Sequence, residues 1–215
     1  MKVFETNIDL EAEIFEQRVM GRSIGFVPTL GALHEGHASL IERSKRISDI
    51  TVCSIFVNPT QFNDPQDLEK YPRTLVSDSQ LLEELGTDIL FLPSIEDVYP
   101  EGLSTEVDVD FGLLMEVMEG ENRPGHFQGV VQVVKKLLDI VAPDHLYMGQ
   151  KDFQQFSLID HMIRELKINT TLQVCKIIRE PHGLAMSSRN ERLTVENREK
   201  ASIINKTLKA VKRKI

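Results

Sequence analysis

Long hydrophobic runs are missing from this sequence. Nothing in its 215 residues approaches the roughly 20 apolar positions a helix needs to cross a bilayer, which argues against a spanning protein. The first residues, MKVFETNIDLEAE, are charged and lack an apolar signal core, which argues against secretion. Cysteine is scarce: Cys53 and Cys175 sit in apolar, strand-like runs, TVCSIFV and TLQVCKII. There is no C-x-x-C and no set of Cys and His at zinc spacing, so both read as reduced core thiols of a cytoplasmic protein. Positive charge is in deficit. Lys plus Arg number 25 against 33 Asp plus Glu, a formal net charge of −8, which argues against a general nucleic-acid binder. A small anionic ligand needs only a local positive pocket and stays open. A Walker A loop, a G-x-G-x-x-G turn and a G-x-S-x-G elbow are absent as well.

What is present is an alternation of apolar runs and helical patterns. SIGFV (23–27), DITVCSIFV (49–57), DILFLP (88–93), HLYMG (145–149) and TLQVCKII (171–178) read as strands. Their apolarity is continuous rather than alternating, the mark of a parallel sheet covered on both faces. Helices fit 37–47, with Leu40, Ile41 and Ser44 on one face, then 74–86 stopped by Gly86, and 127–141 ended by Pro143. A further helix fits 153–166, with Phe153, Phe156, Ile159, Met162, Ile163 and Leu166 as its apolar stripe. This order predicts an α/β, doubly wound, Rossmann-like parallel sheet over residues 1–175. From about 176 the composition changes, and a strongly helical, increasingly basic segment begins in which Thr194 is placed to cap a helix. Residues 176–215 read as the beginning of a second, small α+β unit.

In doubly wound sheets the ligand lies beyond the carboxyl ends of the strands, so the loops after them carry the interest. The first contains Gly31-Ala32-Leu33-His34-Glu35-Gly36-His37 between a strand and a helix. Gly36 permits close approach of backbone to a ligand, and a helix N-terminus with two imidazoles suits phosphate oxygens. A metal pair and a plain turn are the competing readings; zinc hydrolases space the two His one residue further apart. Met186-Ser187-Ser188-Arg189-Asn190 offers two hydroxyls and a guanidinium to phosphate, against a helix cap or solvated turn. In Gly149-Gln150-Lys151-Asp152, Lys151 could neutralise phosphate and Asp152 accept from ribose hydroxyls, against an ordinary N-cap; Gln155 follows on the same face as Lys151. Asn58, Thr60 and Gln61, and the basic stretch Arg123-Pro124-Gly125-His126-Phe127, compete with structural turns.

Taken together, FVPTLGALHEGH, SIFVNPTQF, YPRT, RPGHFQGVV, GQKDFQQ and MSSRN resemble, in order and spacing, the pantothenate synthetase (pantoate–β-alanine ligase) family of His-x-Gly-His nucleotidyltransferases. The likeness runs from about Gly25 to Arg192. It implies ATP-dependent condensation of D-pantoate with β-alanine through a pantoyl adenylate, releasing pyrophosphate and then AMP. It implies that His34 and His37 bind the ATP phosphates, His37 as proton donor, and that Lys151, Ser187, Ser188 and Arg189 hold charge moving to pyrophosphate. Leu30, Gly31, Ala32, Leu33, Glu35 and Gly36 join them around ATP, as do Gly149, Gln150 and Asp152 towards the ribose and Met186 at the nucleotide. Gln61 and Gln155 are implied to bind pantoate, with Gln61 also near β-alanine. Magnesium is implied to accompany ATP on its phosphates, with Asp78 as an outer contact and no protein-held metal. A cytoplasmic homodimer is implied too, with no nucleic-acid or membrane partner. Leu30 stands where the family usually has Met, and Gln150 where Glu is common. The family's C-terminal lid extends well beyond residue 215, so the resemblance implies that only its beginning is present and that condensation without the rest is poor. An adenylyltransferase acting on a phosphate-bearing precursor, and a catalytically impaired ATP-binding fragment, are the alternatives.

Overall fold

The structure, a computed structural model, describes residues 1–103 and 106–213. Its centre is a six-stranded sheet formed by β1 (Lys2–Phe4), β2 (Ile24–Thr29), β3 (Ile50–Ile55), β4 (Ile89–Phe91), β5 (His145–Gly149) and β6 (Thr171–Cys175). Their order is β1-β4-β3-β2-β5-β6, and every pairing is parallel. The chain winds outward from β2 through β3 to β4, then returns to lay β5 on the other side of β2. Between β2 and β5 the strand order reverses, which is where such sheets open a crevice.

The helices are α1 (Asn7–Val19), α2 (Glu35–Ile47), α3 (Pro65–Glu69), α4 (Leu75–Glu84), α5 (Ile95–Val98), α6 (Glu119–Asn122), α7 (His126–Val141), α8 (Phe153–Glu165), α9 (Val195–Lys200) and α10 (Ser202–Lys212). Successive strand residues point to opposite faces, and each face has its own cover. Phe26, Val52, Ile89, Phe91, Leu146 and Met148 pack with α1, α7 and α8, while Val27, Cys53, Leu90 and Tyr147 pack with α2 and α4. The continuous apolarity of the strands follows from that double cover.

The expected strands and helices are all found, with ends shifted by a few residues. Leu40, Ile41 and Ser44 are the buried face of α2, as expected. Thr194 caps α9 through the Asn197 amide. Two expectations need correction. The stripe of α8 holds from Phe156 to Leu166 but not at its first residue: Phe153 is 57% exposed and Gln154 is buried, its amide bonded to the Leu114 and Val117 carbonyls and to the Glu119 N–H. A buried amide with three partners outranks an exposed ring at a helix end. Of the two cysteines, Cys53 is buried but Cys175 is only half-buried at the sheet edge, and both are free thiols. The sequence reading also left residues 2–19 without elements, although β1 and α1 lie there.

One contact positions the site from beneath. Gly129 on α7 lies against the backbone of Thr60 and Gln61, where a Cβ would collide with the Thr60 carbonyl. Asn58, fully buried, locks the same junction by donating to the Gly129 carbonyl and accepting from the Tyr99 hydroxyl at 2.8 Å. Substituting Gly129→Ala is expected to cost about 2 kcal/mol through overpacking and to displace the Gln61 turn. Denaturant unfolding checks it; a change under a few tenths of a kcal/mol would show that the junction relaxes freely.

Candidate functional site

A cleft of about 380 Å³ opens over the carboxyl ends of β2 and β5. That size falls in the range of small-ligand sites. Its walls come from segments far apart in sequence: Pro28–Leu30, the His34–His37 corner, Gln61 and Tyr71, the start of α7, the Gly149–Asp152 turn, and Met186–Arg189.

The His corner is built by the helix it starts. His34 is the N-cap of α2, and its Nδ1 accepts the Gly36 N–H at 3.1 Å. The His37 Nδ1 accepts the His34 N–H at 3.3 Å. A ring nitrogen that accepts from an amide carries no proton, so each neutral imidazole bears its hydrogen on Nε2. The rings lie 4.1 Å apart between centroids. Gly36 lines the cleft and also has a role within the corner, because a Cβ there would sit 2.7 Å from the His34 ring carbon Cε1. The glycine makes room for the capping imidazole. Burial, with His34 and Lys151 adding repulsion, pushes the His37 pKa down to about 3. Burial and then Lys151 lower that of His34. The pair is therefore two neutral N–H donors at neutral pH, and a metal pair would need lone pairs where these rings carry protons.

The loop before it hangs on Asp78. Its carboxylate accepts the N–H groups of Ala32 and Leu33, both at 2.8 Å, and the Thr74 hydroxyl at 3.1 Å. Asp78 is 3% exposed, so its oxygens are engaged inside the protein. Asp78 thus anchors the loop from beneath. Gly31, Ala32 and Leu33 consequently shape the site from behind; they do not line the cleft, and neither do the exposed Glu35 and Gln150. Leu30, His34, Gly36 and His37 do.

Lys151 and Asp152 both line the cleft and pair with each other at 3.0 Å. Asp152 occupies the N-cap position of α8 without capping it, leaving an oxygen available. Gly149, Gln155 and Gln61 complete this side. The Gln61 carbonyl accepts from His126 Nδ1 at 2.7 Å. Met186, Ser187, Ser188 and Arg189 form the far wall. Ser187 also caps a short 3-10 turn by accepting the Arg189 N–H, so the cap and the cleft wall are one structure.

Sequence reasoning gave no role to Tyr71, Arg123, His126 or Lys176, all of which line the cleft. The first three fall in YPRT and RPGHF, stretches already noted. Lys176 had no signal beyond its place after β6.

A polar, cation-lined crevice at the reversal point of a parallel sheet defines a doubly wound α/β ligand-binding protein. The sequence profile of the Pantoate-beta-alanine ligase family matches residues 2–215. The pantothenate synthetase of Bacteroides thetaiotaomicron is 51% identical over 208 residues, which are 97% of this chain and 73% of that protein. That of Flavobacterium psychrophilum is 49% identical, over 99% of this chain and 76% of its own. Among solved structures, pantothenate synthetase from Thermus thermophilus superposes with a TM-score of 0.89 at 43% identity, covering 96% of this chain and 72% of that one. Pantoate-beta-alanine ligase from Francisella tularensis, complexed with beta-gamma ATP and beta-alanine, gives 0.91 at 42% identity, covering 97% and 79%. The chain belongs to the pantoate–β-alanine ligase family.

Proposed function

We propose that this cleft carries out the family's reaction, the ATP-dependent joining of D-pantoate to β-alanine. The observation that carries this reading is the pair of imidazoles held as N–H donors, lining one cleft together with Lys151, Gln61 and Gln155. Such donors suit phosphate oxygens, and carboxamides suit a hydroxylated acid.

In the first step a pantoate carboxylate oxygen attacks the α-phosphorus of ATP, and the bond to the bridging oxygen breaks. Pyrophosphate leaves with that electron pair. In the second, the β-alanine amine attacks the acyl carbon, AMP leaves as its phosphate anion, and the amine gives up a proton. The acyl phosphate is the activated group, so no protein nucleophile is required. The protein's task is to position the reactants and to stabilise charge. His34 and His37 donate through Nε2 to phosphate oxygens, and Lys151, Ser187, Ser188 and Arg189 receive charge as it moves onto pyrophosphate. Asp152 and Gly149 face the ribose, Met186 the nucleotide, and Gln61 and Gln155 the pantoate. Magnesium enters with ATP, on its phosphates. Among the described residues no group of three His, Cys, Asp or Glu could hold a metal ion.

We read residues 1–175 as the unit binding ATP and pantoate, and 176 onward as the start of the unit that covers it. The support is that the chain leaves the sheet after β6 and lays Met186–Arg189 across the cleft. The family resemblance supports a homodimer in the cytoplasm, and among the described residues no helix is long and apolar enough to cross a membrane.

The test is exchange of labelled pyrophosphate into ATP by the full chain, then AMP release on adding β-alanine. Exchange that requires pantoate is expected. Exchange without pantoate, or exchange dependent on a phosphorylated acceptor instead, would favour an adenylyltransferase. ATP binding without any exchange would favour an impaired binding fragment.

A further inference from the structure

One carboxylate joins the Met186–Arg189 wall of the cleft to α3 through two arginines. Asp67, on α3, accepts from Arg189 at 2.8 Å through one oxygen and from Arg192 at 2.8 Å through the other. These partners are 122 and 125 residues away along the chain. The two arginines are not equivalent. Arg189 lines the cleft, lies over the Tyr71 ring at 5.6 Å, and follows Ser188, whose hydroxyl is 3.3 Å from that of Tyr71. Arg192 is outside the cleft lining and gives its other nitrogen to the Lys70 carbonyl at 3.0 Å. One arginine thus anchors the turn, and the other is aimed inward. The Arg189 hydrogen bond holds the Asp67 carboxyl below its ordinary range, with a further contribution from Arg192, so the clasp stays charged at neutral pH.

We propose that Asp67 is a positioning residue for the adenylating step, holding Ser188 and Arg189 against the cleft by clasping Arg192 and Arg189 together. This rests on the reading of the cleft as the ATP site. Without the clasp, the turn from 188 to 192 keeps the bonds of Asn190 to Glu180 and to the Ala185 carbonyl but loses its charged tie to α3, and restoring that part of the order is drawn from nucleotide binding. Arg189 exchanges part of its contact with Asp67 for phosphate when ATP enters, while Arg192 keeps the turn in place. The effect falls on the nucleotide and not on pantoate, because Gln61 takes its bonds from Asn58 and His126 and not from α3 or the 188–192 turn.

Steady-state pyrophosphate exchange on the full chain, with ATP and pantoate varied in turn, tests this. Asp67→Asn is expected to raise the KM for ATP about fivefold and leave the KM for pantoate unchanged. Arg192→Gln is expected to do the same, although it does not line the cleft. The double variant should be no worse than either single one, because the two act as one unit. An unmoved KM for ATP overturns the proposal. So does a lowered one, the result if Asp67 merely competes with phosphate for Arg189. A parallel rise for both substrates, or multiplying effects in the double variant, overturns it as well. If the unaltered chain shows no exchange, the cleft reading fails and takes the clasp with it; exchange with an unaffected Asp67→Asn fails the clasp alone.

Discussion

Substitution of His37 by alanine is expected to lower pantoate-dependent pyrophosphate exchange by about a hundredfold to a thousandfold, the loss typical of removing one preorganised donor from a developing anion. The His34 amide pins the ring through Nδ1, so its Nε2 hydrogen is fixed in direction before substrate arrives. A fixed donor in a water-poor wall needs no reorganisation during the reaction. His37→Gln keeps an N–H donor at about the same reach and is expected to recover part of the rate. A loss of less than threefold in His37→Ala would remove this residue from the phosphate site.

The same ring gives a pH signature. Its pKa falls from the ordinary value of 6.5 to about 3 in the folded protein. Between those values the unfolded chain holds a proton that the folded one does not, so unfolding is favoured as pH falls. The stabilisation is complete above about pH 6.5 and is progressively lost towards pH 3. The proton must enter at Nδ1, which expels the His34 N–H and opens the helix cap. Thermal unfolding of His37→Gln should therefore fall less steeply with acid than that of the unaltered protein. Identical slopes would show that His37 does not contribute.

Asp78→Ala should have the largest effect on stability. It strands two amide hydrogens and a hydroxyl that now share one buried carboxylate, at about 3 kcal/mol in total. For a chain of this size that is a drop in Tm of about 10 °C. The loop carrying Leu30 and the His corner should loosen with it, so ATP binding should weaken even in the folded population. Asp78→Asn keeps one acceptor and should lose about half as much. An unchanged Tm with an altered magnesium requirement would instead restore the metal contact that the sequence suggested.

These side chains show where the sequence was legible and where it was not. Strands β2 to β6 were legible because they carry a continuous apolar signal that a doubly covered sheet requires, whereas β1, three residues long and exposed at Lys2 and Val3, carries none. The His corner, the Gly149–Asp152 turn and the serine–arginine turn were legible because each follows a strand and combines glycine or small residues with charge. On α8 only the first stripe residue departs, because local periodicity cannot weigh Phe153 against a buried Gln154 whose three partners come from another segment. Gly36 lines the cleft, but that a Cβ there would meet an imidazole two residues away is not visible in local pattern.

By itself, then, the sequence determined the α/β winding, the loops that bear chemistry and the family likeness, because all three are written in local pattern and in motifs kept in order. Only the tertiary structure decided which oxygen meets which donor. Asp78 stands 45 residues from the Leu33 amide it holds, and Asp67 stands 122 residues from Arg189. Pairing over such distances depends on where the crossovers return the chain to the sheet, and no local pattern encodes that. For the same reason, the tautomers of His34 and His37 became readable only once the backbone amides beside them were in place.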